Sequence, residues 1–284
     1  MPTDKDELNE YLKKTVEQQS LVIFTGIWYV EENNNKGGTL MEQYLERIGY
    51  TGDRTPNLEN LSRLVRCHLE TVPFENLDCL HNPTVFSLNL EDLLDKVVTR
   101  RRGGVCCELN TLFNALLTYL GYEAYSIMVR ITMRPGPRPI THQCVITVID
   151  GKRYYCDVGF GGPGPKGLVC LETEEVQNVF GEEYIAHWDG VVCIISKNMG
   201  DGWMPLLQLI DVPGNQMDFE VILTYCCGTP TAHFVNQRSI NLCHPGGGFS
   251  AIMNNTFYGL RNGEKFSVEV SDEDLPALLE KEFG

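Results

Sequence analysis

Between Cys106 and Leu120 the apolar side chains recur at Leu109, Leu112, Phe113, Leu116, Leu117 and Leu120. That spacing lays one apolar stripe along a helix, and Gly121 supplies a stop. The stripe runs back through Cys106, whereas Cys107 falls in line with Thr111, Asn114 and Thr118 on a polar stripe. Successive helical residues point about 100° apart. Cys106 is therefore expected to face the protein interior and Cys107 to face away from it. Earlier in the chain, helices are predicted over residues 41–48, 57–71 and 90–100. The second carries Leu58, Leu61, Val65 and Leu69 on one side, and Asn89 or Asp92 starts the third. Residues 5–20 read as a weak helix, 21–30 as a strand or buried segment, and 31–38 as a linker.

After Tyr122 the period shortens, and the pattern to Tyr225 is mainly strand. His142–Ile149 is the clearest case. Asp150-Gly151 is a strong two-residue hairpin signal, and residues 152–158 form the return strand. Counting from Ile149 opposite Lys152, Cys144 faces Asp157 and His142 faces Gly159. His142, Cys144 and Asp157 then share one face, with His142 and Asp157 diagonal neighbours. Asn262-Gly263 marks another hairpin, between Phe257–Leu260 and Lys265–Val270. Ser271, with Asp274 three residues on, opens a last helix over Leu275–Phe283. Gly159, Gly161, Gly162 and Gly164 alternate with Phe160, Pro163 and Pro165, giving either a turn between strands or a flexible pocket wall. No helix pattern follows them, which excludes a dinucleotide-binding fingerprint.

Composition narrows the class. The chain has 284 residues and 43% hydrophobic content, enough for two or three subdomains around sizeable cores. No apolar run reaches the roughly 18 residues needed to span a membrane. The first twenty residues mix acids and bases, unlike a secretory signal. Acids exceed bases 38 to 23, and the net charge of −15 argues against nucleic acid as a partner. Eleven scattered cysteines, an odd number without a Cys-x-x-Cys pair, point to free thiols in a reducing, cytoplasmic setting. Cys106, His142, Cys144 and Cys156 do not have the spacing of common zinc sites, so no metal is expected.

The chemistry concentrates at Arg102-Gly-Gly-Val-Cys-Cys-Glu-Leu-Asn110. Glycines 103 and 104 permit a tight turn, and a cysteine opening a helix sits at the positive end of the helix dipole. Unpaired amides there stabilise a thiolate, the nucleophilic form. Burial as a small core residue is the alternative for Cys106. A carboxylate beside an imidazole fixes its tautomer and favours its charged form. Cys106, His142 and Asp157 together have the residue types of an acyl-transfer triad. Water as acceptor would make the same set a hydrolase, and a non-enzymatic redox module would use Cys106 and Cys107 without His142. Arg100, Arg101 and Arg102 either pair with the chain's own excess carboxylates or supply positive potential beside the nucleophile.

Arg102–Asn110 resembles the active-site motif RGGxCxExN of the arylamine N-acetyltransferases. Thr141-His142 opening a strand and Asp157-Val-Gly-Phe-Gly161 resemble that family's other two triad motifs, in order and at similar spacing. Val72–Leu77 resembles its helical-domain motif, and Asp218-Phe219-Glu220 the segment leading into its last domain. The resemblance runs from about Met41 to the C-terminus. It implies an α+β fold with a papain-like Cys-His-Asp core: an N-terminal helical domain, a central β-barrel and a C-terminal α/β lid. The corresponding boundaries are 1–40 as an extension of unknown role, 41–121, 122–225 and 226–284. It implies Cys106 as the acylated nucleophile, His142 as its proton partner and Asp157 as the orienting acid. Phe160, with Phe74 and Gly161, would line the substrate pocket. Arg102, Gly103, Gly104, Glu108 and Asn110 are motif residues that support the site. The implied activity is acetyl transfer from acetyl-CoA to arylamines, arylhydroxylamines or hydrazines by a ping-pong route. Cys107 departs from the aromatic residue often found at that position.

Overall fold

The computed structural model describes residue 10, residues 37–81 and residues 86–284. The elements expected over 5–20 and 21–30 lie outside the described residues apart from Glu10. Among the described residues from 37 on, four α-helices precede the nucleophile helix: α1 (Gly37–Arg47), α2 (Leu58–Thr71), α3 (Leu77–His81) and α4 (Leu90–Leu94). Asn57 and Asn89 cap α2 and α4 through their side-chain oxygens, as Asn does where the first amides lack partners. The helix expected over 90–100 is instead α4 followed by one π-helical turn, Asp95–Thr99. α5 (Cys106–Tyr119) then runs through the core of this region. Its Leu109, Leu112, Phe113, Leu116 and Leu117 pack with Tyr44, Leu61, Leu64, Val65 and Val97, all buried.

Eight strands follow or flank this bundle in one antiparallel sheet. They are β2 (Glu123–Ile131), β3 (His142–Ile149), β4 (Lys152–Cys156), β5 (Val169–Cys170), β6 (Gln177–Val179), β7 (Glu182–Asp189), β8 (Val192–Asn198) and β9 (Trp203–Pro213). Their order is β5-β4-β3-β2-β9-β8-β7-β6, and β5 comes back against β6 and β7, so the sheet nearly closes into a barrel. β3 and β4 pair with Ile149 opposite Lys152 through to Val145 opposite Cys156, the register expected from the two-residue turn. Both turn residues have positive φ, Asp150 at 52° and Gly151 at 72°, the conformation that suits a right-handed strand pair. The ladder ends at Cys156, and the chain bends at Asp157 toward α5.

The strand pattern stops earlier than expected. Asn215 caps a helix, α6 (Gln216–Gly228), that crosses the boundary expected at 225/226. After the short α7 (His233–Asn236), β10 (Ser239–Cys243), β11 (Phe249–Met253), β12 (Thr256–Arg261) and β13 (Glu264–Glu269) form a second antiparallel sheet. The last helix, α8 (Leu275–Phe283), places Leu275 and Phe283 against Ile240, Ile252 and Phe257 of that sheet. The fifth strand of the sheet comes from far upstream: β1 (Phe74–Glu75) pairs with β10, Phe74 opposite Asn241. Phe74 also bridges to Gly104 in the nucleophile loop. The architecture is thus a helical N-terminal region, a nearly closed eight-stranded barrel and an α/β C-terminus, and its three parts meet around β1 and the start of α5.

Candidate active site

Cys106 is the first residue of α5, and the loop before it is held from both sides. Glycine is required there by space: a Cβ on Gly103 would lie 1.9 Å from the Pro73 carbonyl oxygen, and one on Gly104 would lie 2.7 Å from Glu108 Oε2. The Val105 amide donates to Glu108 Oε2 at 3.0 Å, closing the first turn. Glu108 is itself buried, and Lys96 Nζ donates to both its carboxylate oxygens at 2.8 and 2.9 Å. Lys96 also pairs with Asp78, and Arg102 pairs with Glu75 at 2.6 Å and Asp78 at 3.0 Å. Arg100 pairs with Asp95. For Arg100 and Arg102 the ion-pair alternative holds.

His142 opens β3 and is 2% exposed. Its Nε2 lies 2.6 Å from Asp157 Oδ2, which leaves Nδ1 for the Cys106 sulfur. Asp157 is also fully enclosed, yet four groups satisfy it. Besides His142, it accepts hydrogen bonds from Tyr155 Oη at 2.5 Å, Asn110 Nδ2 at 2.8 Å and the Gly159 amide at 2.7 Å. Asn110 spans the site: its Nδ2 also donates to the Gln143 carbonyl at 2.7 Å, and its Oδ1 accepts from the Val158 amide at 3.1 Å. The bend after Asp157 presses on the nucleophile, since a Cβ on Gly159 would fall 2.7 Å from Cys106 Cα.

Charge follows from these partners. Burial pushes the Asp157 carboxyl up, but His142 and the hydrogen bonds outweigh it and hold the pKa below its usual value. Burial likewise opposes a charged His142, and the Asp157 carboxylate and Cys106 thiolate overcome it, raising its pKa to about 10. The Cys107 thiol, with its Sγ 3.9 Å from that of Cys106, assists the thiolate; burial opposes it, and His142 and the Gln143 amide add to the support. The Cys106 pKa is therefore well below the ordinary thiol range, and the pair rests as thiolate and imidazolium.

A pocket adjoins the triad, lined by Phe74, Asp157, Phe160, Gly161, Asn241 and Cys243 among others. The Phe160 ring stands edge-on to the His142 imidazole, with centroids 5.3 Å apart. Gly161 has φ of 66°, and a Cβ there would strike the Phe74 ring at 2.3 Å. The glycine-rich stretch after Asp157 thus forms a pocket wall.

Most of the chain matches known proteins. The family profile described as N-acetyltransferase covers residues 57–284. Arylamine N-acetyltransferase from Mycolicibacterium smegmatis is 36% identical over 203 residues, 69% of this chain and 74% of that one. Human arylamine N-acetyltransferase 1 is 38% identical over 231 residues, 73% of this chain and 79% of its own. The chain belongs to the arylamine N-acetyltransferase family. It is accordingly an acetyltransferase. The fold agrees: the Salmonella typhimurium arylamine N-acetyltransferase structure superposes with a TM-score of 0.82 at 28% identity, covering 86% of this chain and 90% of that one. The Mycobacterium marinum family member solved in complex with CoA gives 0.79 at 31% identity, covering 86% and 92%.

One expectation fails. Cys107 does not face away from the protein; it is fully buried. α6 lies across the side of α5 that the sequence pattern leaves polar, and packs Phe219, Ile222, Leu223 and Cys226 around Cys107. Several supporting residues carry no local signal in the sequence: Lys96, Asp78 and Gln143. Tyr155 was in principle detectable, because alternation along β4 places it on the face opposite Cys156 and two residues from Asp157. Among the described residues no cluster of three or more His, Cys, Asp or Glu side chains is arranged to hold a metal. No described helix is long and apolar enough to cross a membrane.

Proposed function

We propose that the chain transfers an acetyl group from acetyl-CoA to the nitrogen of arylamines, arylhydroxylamines or hydrazines through an acyl-Cys106 intermediate, by a ping-pong route. The carrying observation is a thiol at the start of a helix, beside an imidazole held 2.6 Å from a buried carboxylate. The Cys106 thiolate attacks the thioester carbonyl carbon. The resulting oxyanion is offered the free amides at the start of α5 and the Gln143 amide that supports the sulfur. As the intermediate collapses, the bond from carbon to the CoA sulfur breaks, and His142 delivers its proton to that sulfur. The amine nitrogen then attacks the acyl-cysteine, His142 takes its proton, and the amide leaves with the Cys106 thiolate restored. Arylamines suit this second step because they are neutral at pH 7, whereas aliphatic amines are mostly protonated.

Phe74, Phe160 and Gly161 supply an aromatic wall for the acceptor next to His142. Arg102, Gly103, Gly104, Glu108 and Asn110 position the nucleophile and the acid without touching the reacting atoms. A cytoplasmic setting is supported by eleven cysteines, all free. The test is intact-protein mass after brief mixing with acetyl-CoA, without amine, on wild type and Cys106→Ser. One acetyl group gained by wild type, missing from the variant and discharged by an arylamine faster than by water, is expected. An adduct retained by Cys106→Ser, or no adduct at all on folded protein, would overturn the reading.

A further inference from the structure

The covering of Cys107 gathers an unusual set of thiols behind the nucleophile. Cys79 of α3 and Cys226 and Cys227 of α6 join Cys106 and Cys107 in one buried cluster. The Cys226 thiol is directed at the Thr141 carbonyl at 3.7 Å. Cys79 and Cys227 are directed at each other: their sulfurs lie 2.7 Å apart, although the residues are 148 positions apart in the chain. Both are buried, at 1% and 0% exposure, so solvent does not compete for either thiol.

We propose that Cys79 and Cys227 form a reversible disulfide that fastens the helix covering the nucleophile to the helix beneath the nucleophile loop. The sulfurs already sit within about 0.7 Å of the bonded distance, and their side chains converge from two separate elements, as a bridge requires. The competing pair is less suited. Cys106 and Cys107 are adjacent on α5, their sulfurs are 3.9 Å apart, and their side chains diverge by about 100° around the helix. In the bridging reaction two S–H bonds break and one S–S bond forms. The two protons and two electrons pass to glutathione disulfide, which leaves as two molecules of glutathione. α3 is only five residues long, so a local opening admits the oxidant. A reducing compartment makes such a bridge transient and responsive. Its position matters because Asp78, next to Cys79, pairs with Lys96 and Arg102 under the nucleophile loop. On the other side, α6 packs on Cys107.

The test equilibrates the full-length chain and its Cys106→Ser variant across a series of glutathione redox buffers. Free thiols are then trapped by alkylation and the peptides mapped without reductant. Using Cys106→Ser makes the outcome independent of the acyl-transfer chemistry. A peptide joining Cys79 to Cys227 is expected in both proteins, two hydrogens lighter and released by dithiothreitol. The oxidised protein should melt about 5 °C or more above the reduced one, and that gap should vanish in Cys227→Ser. Cys79→Ala provides the same control should Cys227→Ser fold poorly. Recovery of Cys79 and Cys227 as separately alkylated peptides at every potential would overturn the proposal. So would bridging of either one to Cys106, Cys107 or Cys226 instead.

Discussion

His68 and His142 are equally removed from water, and they come out at opposite ends of the titration range. His68 sits in the helical core, with Tyr44 Oη 2.6 Å from its Nδ1 and the Phe113 ring edge-on beside it. Burial, with the Arg47 charge adding to it, pushes its pKa down to about 3. His142 sits where β3 meets α5, and a carboxylate and a thiolate lift its pKa to about 10 in spite of the same burial. Burial therefore sets only the cost of charge. Whether an imidazole carries charge is decided by what was buried with it, and only the second site includes an anion on each side of the ring. The helical region uses its histidine as packing with one hydrogen bond. The seam between helix and barrel uses its histidine to hold a proton next to a nucleophile.

The largest effect should come from making the same substitution in both places. His142→Gln is expected to lower kcat/KM by about 10³-fold or more and to shift the pH profile of Cys106 alkylation upward, since one of the groups that support the thiolate is lost. His68→Gln should leave activity per folded molecule within about threefold. Equal losses of activity would break the contrast. A smaller effect concerns pH and stability. His68 takes up a proton in the unfolded chain below about 6.5 but not in the native protein until about 3. Its contribution therefore falls as pH falls, by about 2 kcal/mol between pH 7 and pH 5. Urea unfolding at the two pH values should show that much less pH dependence in His68→Leu. His142 has the reverse sign: its contribution is full below about 6.5 and is lost as pH rises through about 10. The smallest effect is expected from Tyr155→Phe. It removes one donor from the Asp157 carboxylate and leaves three, so a loss of about 1–2 kcal/mol in denaturant stability and a severalfold loss in kcat/KM are expected.

These sites differ in how far they can be read from the chain. The Asp150-Gly151 turn fixes a register, and with it the placement of His142 near Asp157, because a two-residue loop leaves no choice of partners. The motif from Arg102 to Asn110 is contiguous and legible as a string, although its partners are not: Arg102 reaches Glu75, and Asn110 reaches Gln143 and Asp157. Cys107 shows where this stops. Helical spacing says which way a side chain points but not what lies there, and the cover comes from α6, more than a hundred residues later. Lys96 is a similar case, since a lysine in a surface-like pattern is drawn inward by Glu108 and Asp78. The early end of the barrel follows from Asn215: its cap starts a helix in a stretch whose apolar residues suit strand as well.

The two-residue strand β1 has a consequence for synthesis. Phe74 finds its partner Asn241 only after more than half the chain has been added. By then Cys106, His142 and Asp157 have long left the ribosome, but the pocket wall that Asn241 and Cys243 complete does not yet exist. A product cut short before β10 would therefore carry the reactive thiol without the enclosure that selects what reaches it. The order of the chain makes chemistry available first and discrimination last.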